Sequence, residues 1–306
     1  MNPPLVSIVI PLYNSENFIR ETIASVLQQT YTNWELMVVD DVSSDGGPEI
    51  VAEISKNDSR IQLLKSPKNY GGPAGPRNMG IHMAKGEFVA FLDSDDLWLP
   101  QKLALQVKFM LDNPEIDVVG TNATIIPQGS SNALLMFKNK HLTYSDLLRA
   151  PLGLLGKTYV INSSVLMRRS AIEAIGEIDE SPSLIASEDY DYWLRVLQRR
   201  EASIAILRAS LVKYRIHPNN LTGLSDRSAR SFDRLKLIYQ KHHHPIVENL
   251  LKRLPVLAQV HRLKIQYYSG KISTAQLLWE NASFRAKFSM IFSKLLRRFH
   301  GWVKFG

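Results

Sequence analysis

Short apolar segments alternate with amphipathic segments through the first 126 residues of the chain. The apolar segments have the length of strands buried in a sheet, and they span residues 5–10, 36–39, 61–65, 88–92 and 117–126. Between them, helices are predicted over residues 18–27, 49–55, 78–84 and 100–112. Pro11 is predicted to close the first strand, and Ser15 to cap the helix that follows. This alternation predicts an α/β fold in which helices flank a mostly parallel sheet.

The pattern changes in the second part of the chain. Residues 129–157 are irregular, and strands are predicted over 160–167, 203–207 and 211–216, with a helix over 188–198. Beyond residue 226 the pattern is helical almost to the end. We therefore expect a sheet domain over 1–225, with halves at about 1–125 and 126–225, and a helical extension over 226–306.

Composition excludes several classes of protein. The chain is 45% hydrophobic and 22% charged, as in ordinary globular proteins, which excludes a disordered or fibrous chain. It has no cysteine, which excludes thiol catalysis, thiolate metal sites and disulfides. No apolar run approaches the roughly 18 residues that cross a bilayer, and no secretory pattern begins the chain. We therefore expect the protein to stay in the cytoplasm.

The net charge of +8 is unevenly distributed. Residues 226–306 contain 16 Lys and Arg against 4 Asp and Glu, a net charge of +12, and the preceding residues carry −4. This basic region is interpreted either as a solvated helical surface or as a contact for a polyanion, such as anionic lipid or nucleic acid. His242, His243 and His244 point in different directions on a helix, and we assign them to the same basic surface.

Near the C-terminus, six apolar residues recur at spacings of three and four and form one helical stripe. They are Phe284, Phe288, Ile291, Leu295, Phe299 and Trp302, and four cations lie off the stripe: Lys287, Lys294, Arg297 and Arg298. This pattern is typical of a helix packed on a core, and equally of a helix lying in the interface of an anionic membrane. We favour membrane contact.

Acidic residues follow two of the predicted strands. In parallel sheets, ligands bind beyond the carboxyl ends of the strands. Asp93 and Asp95, two positions apart, can converge on a divalent cation, although a solvated turn or a helix cap gives the same pattern. Asp40 and Asp41 can accept hydrogen bonds from a nucleotide, or cap a turn.

Other candidates lie farther along the chain. Arg77 follows a Gly- and Pro-rich loop at the start of a helix, where an anion such as a diphosphate is favoured. Glu188 and Asp189 open a helix, where one carboxylate can act as general base or both can offset the helix dipole. His217 is either a metal or phosphate ligand or an ordinary loop histidine.

Six motifs occur in an order that resembles the family-2 glycosyltransferases. The similarity covers roughly residues 4–220, and the motifs are VSIVIPLYN at 6–14, VDD at 39–41, GI and AKG within 80–86, FLDSDD at 91–96, EDYDYWLR at 188–195 and YRIHP at 214–218. The resemblance implies the GT-A fold and an inverting, metal-dependent transfer of a sugar from a nucleotide diphosphate.

The resemblance also implies residue roles. Asp95 is implied as the direct ligand of Mn²⁺ or Mg²⁺, with Asp93 near the ribose and metal and His217 closing over the metal and diphosphate. Asp189 is implied as the catalytic base, with Glu188 beside it. The whole predicted donor-binding set is Pro11, Tyr13, Asn14, Asp40, Asp41, Arg77, Asp93, Ser94 and His217, of which the resemblance implies that Pro11, Tyr13 and Asp41 hold the base. Two positions depart from the family pattern: Val42 replaces the usual glycine, and Pro76 replaces a small residue.

The expected partners follow from this family. They are a nucleotide-sugar donor, with a UDP-sugar favoured, and a glycan or lipid-linked acceptor in bacterial surface-polysaccharide synthesis, on the inner face of the cytoplasmic membrane. A nucleotidyltransferase is an alternative, but it requires a glycine-rich basic loop after the first strand, and residues 12–15 do not form one. A nucleic-acid-binding module requires interleaved aromatic and basic residues, whereas here they occupy separate faces, so we expect no nucleic acid partner.

Overall fold

The computed structural model describes residues 3–126, 140–149, 160–217, 227–242, 244 and 246–252. Within these residues, nine strands form one sheet in the order β3-β2-β1-β4-β8-β6-β9-β5, and β7 also pairs with β9. The strands are β1 Val6–Leu12, β2 Trp34–Asp40, β3 Ile61–Lys65, β4 Phe88–Phe91, β5 Leu97–Trp98, β6 Val118–Ile126, β7 Lys140–Leu142, β8 Leu166–Arg168 and β9 Ile204–Arg215.

Besides a helical segment over residues 247–252 and two short 3₁₀ turns, eight helices lie in the described part of the chain. They are α1 Ile19–Leu27, α2 Gly47–Ser55, α3 Ala74–Met83, α4 Lys102–Asp112, α5 Tyr144–Arg149, α6 Arg169–Ile175, α7 Glu188–Arg199 and α8 Arg227–Lys241. None of the described helices is both long and apolar enough to cross a bilayer. Helix α8 confirms that the region after residue 226 begins as a helix, whereas the apolar stripe over 284–302 lies outside the described residues.

The sheet is mostly parallel, as the alternation of strands and helices predicts. Strands β1 to β4 are parallel, β8 is antiparallel to both β4 and β6, and β9 is parallel to β6. Strands β5 and β7 are antiparallel to β9. Six of the nine described strands therefore point in one direction, and their carboxyl ends lie at one edge.

Both faces of the sheet are buried. Ile8 and Ile10 pack on one face with α1 and α4, and Val9 packs on the other with α7, because successive strand residues point to opposite faces. Gly80 brings α3 close to β1, since a Cβ there would lie 2.4 Å from Val9 Cγ1.

Several local predictions were wrong. Pro11 lies inside β1 and does not close it, which is tolerated because the pairing with β4 ends at Val9. Ser15 does not cap α1, whose N-cap is Phe18. The predicted strand at 160–167 is instead a 3₁₀ turn, Asn162–Ser164, followed by β8. The two strands predicted between 203 and 216 form the single strand β9.

Candidate active site

Asp40 and Asp41 end β2, and both are buried. Asp40 Oδ1 accepts a hydrogen bond from the Ser43 N–H at 3.0 Å, which is the turn-capping arrangement. Both carboxylate oxygens of Asp41 accept from the Tyr70 N–H, at 3.0 and 3.1 Å. Burial raises the pKa of Asp41, and the Tyr70 hydrogen bond partly opposes this shift. Since a carboxylate has room for further acceptance, contact between Asp41 and a nucleobase remains a prediction.

The last residues of β1 and β2 and the loops after them, residues 11–16 and 40–46, form a unit that we call the strand-end loops. The Asn14 N–H donates to Ser43 Oγ at 3.1 Å, and Asn14 Oδ1 accepts from the Ser44 N–H at 2.8 Å. Asn14 therefore joins the two loops. Tyr13 is 54% exposed, so its ring is free to contact a ligand. Val42 has φ +61°, a conformation that is strained for a β-branched residue and that glycine adopts freely.

Asp95 and His217 meet beyond β4 and β9. His217 Nε2 lies 2.9 Å from Asp95 Oδ2, and the imidazole stacks on Phe18 with ring centroids 4.6 Å apart. Ser94 Oγ lies 2.8 Å from Ser15 Oγ. Burial raises the pKa of Asp95, as does the charge of Asp93, while His217 opposes the shift.

These side chains suit a divalent cation, but only as a partial ligand set. Carboxylate oxygens and an imidazole nitrogen are ligands that Mn²⁺ accepts, and the mutual repulsion of Asp93 and Asp95 would be relieved by positive charge. Asp93 itself lies against Arg77. In the described part of the chain, no three His, Cys, Asp or Glu side chains are grouped to hold a metal ion. A bound cation would therefore take its remaining ligands from a substrate.

Arg77, in the first turns of α3, is buried among polar groups. Its Nη2 donates to Asp93 Oδ1 at 2.6 Å, and its Nη1 donates to Glu188 Oε1 at 3.2 Å. When the Asn162 carboxamide is oriented as its neighbours require, its oxygen accepts from Arg77 Nε at 3.0 Å and Nη2 at 2.6 Å. We call Arg77, Asp93, Asn162 and Glu188 the arginine cluster. Because Arg77 is only 3% exposed and directed at these groups, its contact with a diphosphate remains a prediction.

Asp189 lies next to Glu188 in the first turn of α7 and is half-buried. Burial and the charge of Glu188 raise the pKa of Asp189 to about 7, and the positive charge of Arg77 opposes this shift. The charge of Asp93 also raises the pKa of Asp189. Asp189 is therefore a carboxylate that can accept a proton near neutral pH.

The 3₁₀ turn at 162–164 contributes residues that sequence analysis missed. Ser163 Oγ accepts from the Asp93 N–H at 3.1 Å and donates to Asp96 Oδ2 at 2.5 Å. Burial, followed by the charges of Asp95 and Asp93, raises the pKa of Asp96 well above its ordinary value. The only indication in the sequence is the polar triplet 162–164, which interrupts an otherwise apolar run.

Asp191 anchors α7 to α8. His242 Nε2 lies 3.0 Å from Asp191 Oδ1, and Asp191 Oδ2 accepts from Lys241 Nζ at 3.1 Å. Both Asp191 and His242 are buried, so the assignment of His242 to a basic surface was wrong. The described start of the basic extension packs against the helix that carries Asp189.

The predicted site residues thus form two groups. Pro11, Tyr13, Asn14, Asp40 and Asp41 belong to the strand-end loops. The second group consists of Arg77, Asp93, Ser94, Asp95, Glu188, Asp189 and His217, which lie at the ends of β4 and β9 and at the starts of α3 and α7.

Known proteins share this sequence and fold. The protein named UDP-Glc:alpha-D-GlcNAc-diphosphoundecaprenol beta-1,3-glucosyltransferase WfgD, from Escherichia coli, is 37% identical over 224 residues, which cover 73% of this chain and 81% of that protein. WfaP, an Escherichia coli protein named for the same activity, is 32% identical over 258 residues, or 79% of this chain and 90% of that protein.

Among solved structures, S. aureus TarS 1-349 in complex with UDP superimposes with a TM-score of 0.62 at 21% identity, covering 90% of this chain and 78% of that one. This likeness confirms the predicted fold class. Residues 7–176 match the family model described as Glycosyl transferase family 2. The chain therefore belongs to glycosyl transferase family 2 and is a glycosyltransferase.

Proposed function

We propose that this glycosyltransferase moves a hexose, with inversion, from a UDP-sugar to a hydroxyl group of a lipid-linked glycan. Glucose is the first donor sugar to consider, because both Escherichia coli relatives are named as using UDP-Glc. Their named acceptor, a GlcNAc-diphosphoundecaprenol, supports a lipid diphosphate acceptor for this chain as well. Such acceptors are precursors of surface polysaccharide.

The strand-end loops are proposed to bind the uridine. The ring of Tyr13 is exposed and flat enough to stack on a base, and Pro11 is proposed to lie against the base beside it. Asn14 holds that loop against Ser43 and Ser44. Asp41, fixed by Tyr70, is proposed to accept the N–H of the pyrimidine. Asp40 is proposed to hold this turn in place by accepting the hydrogen bond from the Ser43 N–H.

Asp93, Asp95 and His217 are proposed to lie against the diphosphate, with Ser94 holding the intervening turn. A divalent cation bound by Asp95 and His217, near Asp93, would neutralise charge that develops on the departing diphosphate. The negative charge of Asp93 raises the pKa of Asp95, so a cation bound near both carboxylates would relieve their repulsion.

Asp189 is proposed to remove the proton from the acceptor hydroxyl as that oxygen attacks the anomeric carbon. The bond to the diphosphate oxygen breaks on the opposite face, so the configuration inverts. Only one carboxylate is required, since the leaving group is already activated. Glu188 is proposed to hold Arg77 and to raise the proton affinity of Asp189 by its charge.

One observation carries this proposal. Arg77 connects Asp93, which follows the metal-side strand β4, with Glu188, which is adjacent to the base on α7. This ion pair sets the carboxylates of the donor side and the base side at opposite ends of one rigid guanidinium.

The test is a transfer assay with the purified chain, UDP-glucose and a short-chain α-GlcNAc-diphospholipid. We expect UDP release that depends on acceptor, a β-linked product by NMR coupling constants, and loss of turnover with EDTA that Mn²⁺ or Mg²⁺ restores. Asp189→Asn is expected to lower kcat by about 10²- to 10⁴-fold while UDP binding is retained.

Asp112→Asn serves as the matched control. Asp112 is an exposed carboxylate at the end of α4, paired with Lys108 at 2.7 Å, and its replacement should leave the rate unchanged. Normal transfer by Asp189→Asn contradicts the base assignment. Release of GDP or dTDP in place of UDP contradicts the proposed donor.

The C-terminal segment 284–302, with its apolar stripe and the cations beside it, is proposed to contact anionic lipid and so bring the site to a membrane-held acceptor. Flotation with vesicles containing phosphatidylglycerol measures this contact. Deletion of residues 283–306 should abolish flotation, and equal flotation of both chains contradicts the proposal.

A further inference from the structure

Asn162 is the one member of the arginine cluster for which the transfer chemistry has no evident use. It lies in the 3₁₀ turn Asn162–Ser164, immediately before β8, and is 8% exposed. Its carboxamide oxygen accepts two hydrogen bonds from Arg77, through Nε and Nη2. No charge is neutralised by this contact, so its effect is to fix the direction of the guanidinium.

The direction of Arg77 matters because its remaining bonds reach both sides of the site. Besides its bond to Asn162, Nη2 donates to Asp93 Oδ1, and Nη1 donates to Glu188 Oε1. A guanidinium is planar, so fixing its Nε edge determines where both terminal nitrogens point. Asn162 therefore sets the positions of Asp93 and Glu188 relative to one another.

The turn that carries Asn162 is itself held by three buried side chains. Trp98 Nε1 donates to the Ser163 carbonyl at 2.7 Å, and Gln106 Nε2 donates to the Ser164 carbonyl at 2.8 Å. Lys102 Nζ donates to the Val165 carbonyl at 3.2 Å. Three consecutive carbonyls are thus bonded to side chains of β5 and α4, which makes the turn a rigid support.

The same turn also contacts the acidic residues after β4 directly. Ser163 Oγ bonds both the Asp93 N–H and the Asp96 carboxylate. Asp93 is thereby held twice, through its backbone by Ser163 and through its side chain by Arg77. Such support by residues outside the reacting atoms is what precise placement of reacting groups requires.

We propose that Asn162 is a positioning residue of the transfer reaction: by orienting Arg77, it holds the donor-side carboxylate Asp93 and the base-side residue Glu188 at the separation that in-line attack needs. This proposal rests on the proposed function, because it assumes that Asp189 is the base. It assigns a role to a residue that touches neither donor nor acceptor.

The test compares three variants in the transfer assay with UDP-glucose and the α-GlcNAc-diphospholipid. Asn162→Ala removes the oxygen that accepts from Arg77, and we expect kcat to fall by about 10- to 100-fold, with KM for the donor within about threefold. Asn122→Ala is the matched control: Asn122 is also buried, at 2% exposure, but it bonds the Arg208 carbonyl at 2.7 Å. This control should have the same kcat per folded molecule as the wild type.

Asn162→Asp supplies a second, independent measurement. It keeps an oxygen facing Arg77 but adds negative charge beside Asp93, Glu188 and Asp189. We expect kcat near that of the wild type at pH 9, and an acid limb of the pH–rate profile displaced to higher pH. The displaced limb reports the charge that aspartate adds near Arg77, whereas the retained kcat at pH 9 reports the acceptor oxygen that Asn162→Ala lacks. A residue that only stabilises the fold would change the unfolding midpoint and leave kcat per folded molecule unchanged in Asn162→Ala. If Asn162→Ala does not fold, Asn162→Leu, which is similar in size to asparagine but has no acceptor, takes its place.

Several outcomes overturn the proposal. They are an unchanged kcat in Asn162→Ala, an equal loss in Asn122→Ala, or a kcat of Asn162→Asp at pH 9 as low as that of Asn162→Ala. A wild-type chain with no transfer contradicts the proposed function, whereas normal wild-type transfer with a normal Asn162→Ala variant contradicts only the role of Asn162.

Discussion

The strand-end loops and the arginine cluster lie at the same edge of the sheet but are built differently. In the strand-end loops, the bonds join two neighbouring loops through backbone N–H groups, as between Asn14 and Ser44. Tyr13 and Val42 remain more than half exposed there. The arginine cluster is buried except for Asp93, which is half-buried, and it joins side chains from the end of β4, the 162–164 turn and two helices.

This difference fits the separate roles proposed for the two regions, nucleotide binding for the strand-end loops and alignment of the reacting groups for the arginine cluster. An open loop can close on a planar ligand at a low cost in free energy, because its polar groups are already hydrogen-bonded to one another. A buried cluster of charges is stable only when each charge is paired, so its geometry is determined within narrow limits. Narrow limits suit the residues that must align a base with a leaving group.

The largest expected effect comes from breaking the arginine cluster. Arg77→Met keeps the length of the side chain but leaves the buried carboxylate of Glu188, and the half-buried carboxylate of Asp93, without their partner. We expect a loss of about 3–5 kcal/mol in the free energy of unfolding, measured by urea denaturation. The matched control is Arg20→Met, since the Arg20–Glu53 pair is 2.7 Å long but exposed. Equal losses in both variants would show that burial does not distinguish the two pairs.

An intermediate effect is expected from pH. The pKa of Asp189 is raised to about 7 by burial and by Glu188, with Asp93 adding to the shift and Arg77 opposing it. A raised pKa leaves this carboxylate increasingly protonated below neutrality, and a protonated base cannot accept the hydroxyl proton. We expect kcat/KM to fall as pH decreases through about 7, approaching about tenfold per unit. A rate that stays constant down to pH 5.5 contradicts this, and the residual rate of Asp189→Asn should lack the acid limb.

The smallest expected effect is in the strand-end loops. Val42→Gly relieves the strain of a β-branched residue at φ +61° and retains every hydrogen bond that holds the loops together. We expect the free energy of unfolding to rise by about 0.5–1 kcal/mol, because the relief exceeds the entropy cost of glycine. Val42→Ala keeps a Cβ at this position and should gain less. A variant Val42→Gly that is less stable than the wild type would show that the valine side chain contributes contacts that outweigh its strain.

Much of the fold follows from the sequence for a local reason. Apolar periodicity acts over a few neighbouring residues, and it predicted strands near β1 to β4, β6 and β9 together with the helices between them. The prediction failed where polar contacts from distant residues override that pattern. Asn162, Ser163 and Ser164 lie in a run that resembles a strand, but their side chains and carbonyls are bonded to β5, α4 and Arg77, and the run becomes a turn.

The sequence by itself determined the family, the order of the strands and helices in the first half, and the presence of carboxylates at the strand ends. Only the tertiary structure decided that Arg77 joins Asp93, 16 positions away, to Glu188, 111 positions away, and that Asn162 orients it. Such contacts depend on how the sheet brings separate segments to one edge. Because burial then requires every charge to find a partner, the partners are chosen by the packed fold and not by their neighbours in the chain.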